Sequence, residues 1–100
     1  MENQLGRLDP LANVSLKPPQ SVLVTCHFEE TSIVRRFSLK MTAGEVKRIL
    51  SKELVGQPAI AFDLHHRSVP YGAEKMRFMQ KALHGYNIRD DDEFYVFMKR

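Results

Sequence analysis

The residues that could do chemistry are few, and their spacing argues against most of it. His65 and His66 are neighbours in an extended stretch, so their side chains leave opposite faces and cannot share a metal ion. His27 and His84 add no recognisable ligand spacing. Cys26 is the one cysteine in 100 residues, so neither an intrachain disulfide nor a multi-cysteine zinc site can form. It alternates with Val22, Val24 and Phe28, which predicts an inward-facing small hydrophobe rather than a thiolate nucleophile with a base in reach. The run Asp90-Asp91-Asp92-Glu93 lacks the alternating ligands and required glycine of an EF-hand loop, and reads as a solvated turn beside Arg89. Without a nucleophile–base pair, a phosphate-cradling glycine loop or a metal set, the expectation is no enzyme and no cofactor.

Two surface features remain. Arg35, Arg36, Lys40, Lys47, Arg48 and Lys52 fall near one hairpin and one helix, and could face an acidic protein. The net charge of +3 and isoelectric point near 9.2 are mild. Aromatics are not interleaved with these cations and no RNP-type motif is present, so nucleic acid is not the expected partner. Tyr95 and Phe97 are the stronger signal. Both point outward from a strand, and large apolar side chains there need cover or a partner.

The elements that must position these residues are readable. Apolar residues make up 43% of the chain and charged residues 27%, enough for one ordered core. No apolar run approaches the ~20 residues of a membrane span. Residues 1–20 read as a linker or flexible leader, with Leu5, Leu8, Leu11, Val14 and Leu16 scattered among Gly6, Pro10, Pro18 and Pro19. The remaining residues, 21–100, form the expected domain. Ser21–Phe28 and Ile33–Leu39 alternate as the strands of a hairpin around the turn Glu29–Ser32. Phe37 and Leu39 face inward, and Arg35 shares their face, which predicts a bulge or a sheet edge.

Thr42–Gly56 is the one main helix. Thr42 and Glu45 form a capping box, Val46, Ile49, Leu50 and Leu54 make the apolar stripe, and Gly56 ends it ahead of Pro58. Lys47, Arg48, Lys52 and Glu53 are expected to face water. Ala59–His66 is a third strand with Ile60, Phe62 and Leu64 on one face and Asp63 and His65 on the other. Arg67–Gly85 is irregular, with a short helical or extended piece over Met76–Leu83. Asp90–Asp92 turns into the last strand, Glu93–Met98, where Phe94, Val96 and Met98 oppose Tyr95 and Phe97. Hairpin, crossover helix and further strands give an α+β class: a β-grasp mixed sheet packed on one main helix.

That order resembles ubiquitin over Ser21–Arg100, and Tyr86-Asn87-Ile88 with the following polar turn and alternating strand resembles ubiquitin's own ending. A longer resemblance runs through Gly6–Lys17 (GRLDPLANVSLK), His27-Phe28, Pro70–Met76 (PYGAEKM), Ala82-Leu83-His84, Ile88–Asp92 and Tyr95-Val96. These stretches look like the C-terminus of the tubulin-folding cofactor E-like family, in which leucine-rich repeats precede a ubiquitin-like domain. The resemblance implies a terminal domain with its linker, tubulin as a partner of the full-length protein, and the proteasome or other ubiquitin-receptor proteins as further partners. It implies a cytoplasmic, cytoskeleton-associated protein whose isolated domain is a monomer.

Two departures matter. The chain ends Met98-Lys99-Arg100, without the glycine pair that an isopeptide-forming or sulfur-carrying tail needs. The strand positions of ubiquitin's receptor-binding patch fall at Asp63, Tyr95 and Phe97, so two aromatics remain as anchors while a charge replaces an aliphatic, and standard ubiquitin receptors are expected to bind weakly or not at all. The expected function is a non-catalytic protein-interaction domain in tubulin folding or destabilisation, binding through Asp63, His65, Tyr95 and Phe97. The alternative is a Ras-binding type of β-grasp domain that meets a small GTPase through Arg35, Arg36, Lys47 and Arg48.

Overall fold

A computed structural model of the protein describes residues 20–69 and 72–100. The expected leader, residues 1–20, lies outside the described residues apart from its last position. Two strands open the domain, β1 (Ser21–Phe28) and β2 (Thr31–Ser38), paired antiparallel in unbroken register from Ser21↔Ser38 to Phe28↔Thr31. The turn is therefore two residues, Glu29 and Glu30, with Glu29 at φ 55. This is tighter than the alternation suggested.

The helix α1 (Ala43–Leu50) follows, capped as expected. The Thr42 hydroxyl accepts the Glu45 N–H at 3.2 Å, and the Glu45 carboxylate accepts the Thr42 N–H at 2.9 Å. Those bonds hold the Glu45 carboxyl below its usual range, the Thr42 N–H contributing most. The chain then continues as one π-helical turn, Ser51–Val55, and stops at Gly56, whose φ of 73 suits a residue without a Cβ.

The buried stripe of α1 is Ala43, Val46, Lys47 and Leu50, spaced i, i+3, i+4, i+7. The stripe inferred from Val46, Ile49, Leu50 and Leu54 is thus rotated, with Ile49 and Leu54 only half-buried. The rotation brings Lys47 inward, contrary to its expected exposure: it is 6% exposed, with Nζ 5.2 Å from the centre of the Phe62 ring. Loss of hydration lowers its ammonium pKa, and the cationic Lys99 nearby adds to that. Burial of a lysine's apolar stem beside an aromatic face makes the position tolerable.

Ala59–Ala61 is a 3-10 turn closed by the Ala61 N–H donating to the Pro58 carbonyl at 2.9 Å. Strand β3 (Phe62–Val69) starts only after it. Ile60 therefore lies outside the alternation and is 78% exposed, rather than sharing the face of Phe62 and Leu64 as expected. A short β4 (Gly72–Lys75) pairs with β3, and β5 (Asp92–Met98) closes the sheet. Over Met76–Leu83 the chain is irregular rather than helical, and the 3-10 turn comes later, at Leu83–Tyr86.

The strand order is β2-β1-β5-β3-β4, with β1 and β5 parallel and the other pairs antiparallel. That is the β-grasp topology, with α1 crossing from the hairpin. β2 is an edge strand, as Arg35 required. No bulge is needed, because Arg35 reaches past the core to Glu53 on the π-helical turn, 3.1 Å away.

The core gathers Val22, Val24, Cys26, Phe37, Val46, Leu50, Phe62, Leu64, Phe94 and Val96 between sheet and helix. Cys26 is fully buried, and loss of hydration pushes its thiol up to about 12. Phe28 is half-buried, and Met98 is 40% exposed at the end of β5.

The polar turn before β5 has a structural task. The Asp90 carboxylate accepts the Leu23 N–H at 2.7 Å, and the Asp91 N–H donates to the Leu23 carbonyl at 2.8 Å. Together they extend the tie between β1 and β5 beyond the strand itself.

Candidate protein-interaction face

The sheet face away from α1 is built by the alternate residues of each strand. Cross-strand register sets His27 beside Tyr95, and Tyr95 beside His65. His65 in turn is paired with Lys75, and Asp63 with Phe97. A row of rings thus runs across the middle of the sheet.

Its members are fixed by specific contacts. His27 stacks on Tyr95 with centroids 5.0 Å apart and planes 18° apart. The Tyr95 hydroxyl donates to Glu93 Oε1 at 2.8 Å and accepts from Arg67 at 3.3 Å. His27 Nε2 lies 2.9 Å from the same carboxylate oxygen, and Nδ1 lies 3.1 Å from the Ser32 hydroxyl. Those distances suit the tautomer with the proton on Nε2. The Tyr95 hydroxyl contributes most, with the His27 hydrogen bond and the Arg67 charge, to holding the Glu93 carboxyl below the usual range despite opposing desolvation.

On the other side of Tyr95, His65 meets Phe97 edge-on, with centroids 4.8 Å apart and planes at 85°. Its Nδ1 is buried without a hydrogen-bond partner among the described residues. Burial lowers its pKa and so favours the neutral ring, an effect partly offset by the Asp63 carboxylate. Asp63 is engaged by Lys75 at 3.4 Å. The charge expected to interrupt the patch is therefore offset locally.

Phe97 is 52% exposed, whereas Tyr95 is half-buried beneath its neighbours. A groove of about 390 Å³ opens beside them, lined by His27, Phe28, Tyr95, Val96, Phe97 and Met98 with Glu29. Asp63, His65, Tyr95 and Phe97 are thus contiguous on one face. His27, Arg67 and Glu93, which brace Tyr95, escaped the sequence reading. Alternation alone could have placed Glu93 with Tyr95 and Phe97, but His27 joins them only through the parallel β1–β5 register.

The basic set behaves differently. Arg35 and Arg36 leave opposite faces of β2, Arg35 toward Glu53 and Arg36 toward the Ser21 hydroxyl, 3.3 Å away. Lys47 is buried and Arg48 exposed on α1. These four do not form one surface.

His65 and His66 do leave opposite faces, with His66 buried on the core side. Among the described residues no three His, Cys, Asp or Glu side chains are grouped to hold a metal ion. No described helix is long and apolar enough to cross a membrane.

The strand order with its single crossover helix is that of a ubiquitin-like domain. No protein-family model matches the chain. Its sequence is 38% identical over 96 residues to tubulin-specific chaperone cofactor E-like protein of rat and human, covering 94% of this chain and 22% of those proteins. The chain is a ubiquitin-like domain related in sequence to the cofactor E-like proteins, and spans about a fifth of their length.

The C-terminal ubiquitin-like domain of mouse tubulin-specific chaperone e superposes with a TM-score of 0.72 at 18% identity, over 86% of this chain and 94% of that one. The N-terminal ubiquitin-like domain of Drosophila melanogaster tubulin-binding cofactor B does so at 0.66 and 16% identity, over 85% and 92%. At such identities these two solution structures speak for the fold.

Proposed function

We propose that this chain is the non-catalytic protein-interaction domain of a tubulin cofactor E-like protein, and that it binds through the open sheet face. Tyr95 and Phe97 are the anchors, while Asp63 and His65 set polarity and orientation. The carrying observation is a half-exposed Phe97 beside a Tyr95 ring already locked by Glu93, Arg67 and His27. A preorganised aromatic surface loses little side-chain entropy on binding, the usual setting of an interface hot spot.

On this reading the whole protein contributes to tubulin folding or destabilisation and so to microtubule regulation. It works in the cytoplasm near the cytoskeleton, and the domain is a monomer at the end of a linker covering residues 1–20. Its partners are tubulin, reached through the full-length protein, and ubiquitin receptors such as those of the proteasome. The names of the sequence relatives support the tubulin side of this reading.

The test is affinity measurement with αβ-tubulin and a proteasomal ubiquitin-receptor fragment. Truncating an aromatic hot spot costs ~2 kcal/mol or more, so Tyr95→Ala and Phe97→Ala should each weaken binding at least about tenfold. Wild-type affinity in both variants contradicts the proposed face. Loss of binding only in Arg35→Glu/Arg36→Glu would place the contact on the basic edge strand β2 instead, and a small GTPase is then the partner to titrate.

A further inference from the structure

A second built surface lies on the opposite side of β3, where the chain between β4 and β5 folds back. Tyr86 organises it. Its hydroxyl donates to the Phe78 carbonyl at 2.7 Å and accepts the Phe78 N–H at 2.8 Å, so one side chain fixes both backbone groups of Phe78. The Phe78 ring is left 65% exposed.

Lys81 lies across the same structure, with Nζ 4.7 Å from the Tyr86 ring centre and 5.9 Å from that of Phe78. Its stem runs over Gly85, where an added Cβ would stand 3.0 Å from Lys81 Cε. His66, 3% exposed, meets the edge of Tyr86 at 5.6 Å and forms the floor. Between these groups is a cleft of about 250 Å³ that Arg77 and Glu74 also line.

Its charge is uneven. Lys75, Arg77 and Lys81 face a single carboxylate, Glu74. Lys75 is engaged by Asp63, but among the described residues neither Arg77 nor Lys81 has a carboxylate partner. The volume is below the ~300–1,000 Å³ of small-molecule sites and suits one side chain of a longer ligand. Two uncompensated cations flank an exposed ring, a match for carboxylates next to an apolar residue. They are too few to track a nucleic-acid backbone. Glu74 on the rim disfavours a phosphate dianion more than a singly charged carboxylate.

We propose that this cleft docks an acidic peptide, with a large apolar side chain against Phe78 and neighbouring carboxylates on Arg77 and Lys81. The site is separate from the Tyr95–Phe97 face and stands or falls independently of it.

The probe is the peptide acetyl-Glu-Glu-Phe-Glu-Glu-amide, titrated into the isotope-labelled full chain while amide shifts are followed. Saturable shifts are expected at Arg77, Phe78, Lys81, Gly85 and Tyr86. Affinity should fall about fivefold or more with the glutamine counterpart of the peptide, and likewise in Lys81→Ala or Arg77→Gln. It should fall also between about 50 and 300 mM salt. Phe78→Ala, an exposed position, should lose the apolar contact while its amide spectrum stays folded. No saturable shift, equal binding of the glutamine peptide, or shifts centred on Tyr95 and Phe97 would overturn the proposal. So would tighter binding of the matching phosphotyrosine peptide or of oligothymidylate.

Discussion

Tyr86 and Tyr95 hold their surroundings through a hydroxyl, and each hydroxyl makes two hydrogen bonds. Tyr86 brackets the Phe78 backbone, and burial with those bonds acting against it still leaves its phenol pKa raised. Tyr86→Phe keeps the ring and removes both bonds. We expect a loss of about 1–2 kcal/mol in urea unfolding, with the largest amide-shift changes at Phe78. An unchanged unfolding midpoint would show that Phe78 is held by something else.

Tyr95 is braced differently, through Glu93 and Arg67 on its own face. Glu93→Gln should therefore disturb the His27–Tyr95 stack more than it disturbs stability, because the site is half-exposed. Residue types at these positions were legible, since alternation in β5 sets Glu93, Tyr95 and Phe97 on one face. Lys47 was not legible. Nothing in its side chain signals burial, and only the rotation of the helix on the sheet decides it.

At the scale of elements, the two ends of the helical segment are where sequence and structure agree most fully. Thr42, Glu45 and Gly56 act through local backbone geometry, so their roles are written in adjacent residues. Thr42→Ala should cost about 1 kcal/mol by loss of its cap. Gly56→Ala should cost about 1 kcal/mol because alanine resists φ 73. Both are read by thermal or urea unfolding, and a neutral outcome for Gly56→Ala would mean the helix ends in another way.

The strands were legible by alternation and their ends were not. Ile60 looked like a strand residue because it alternates with Phe62 and Leu64, yet the chain bends at Pro58 and spends Ala59–Ala61 in a tight turn. β4 escaped as well: four residues, Gly72–Lys75, carry no period long enough to see. Such a strand is specified by its neighbour β3 rather than by its own composition.

For the whole molecule, the acid side of the stability curve follows from groups on both faces of the sheet. His66 has its pKa lowered by burial, against the opposing pull of Asp92 and Glu74, and burial lowers that of His65. Below the unfolded histidine value of 6.5 the unfolded chain binds more protons than the folded one, so stability falls as pH drops from there toward the folded values. Glu93 and Glu45, whose folded pKa values are lowered, add stability above the unfolded carboxylate range, lost as pH falls through their folded values. Urea midpoints should therefore decline between about pH 7 and 5.5, and His66→Asn should flatten that decline. A pH-independent midpoint in the native chain would contradict the neutral, buried His66.

The order β2-β1-β5-β3-β4 is also a whole-molecule property. It brings His27, Tyr95 and His65 from three strands into one row, and no local pattern announces it. Partner binding, as proposed, rests on this open face. Its most direct measurement is an amide-shift titration of the isotope-labelled chain with αβ-tubulin and, separately, a proteasomal ubiquitin-receptor fragment. Saturable shifts centred on Asp63, His65, Tyr95 and Phe97 are expected with at least one of them, abolished in Phe97→Ala. Shifts confined to Arg35, Arg36 and Arg48, or silence with both partners, would contradict it.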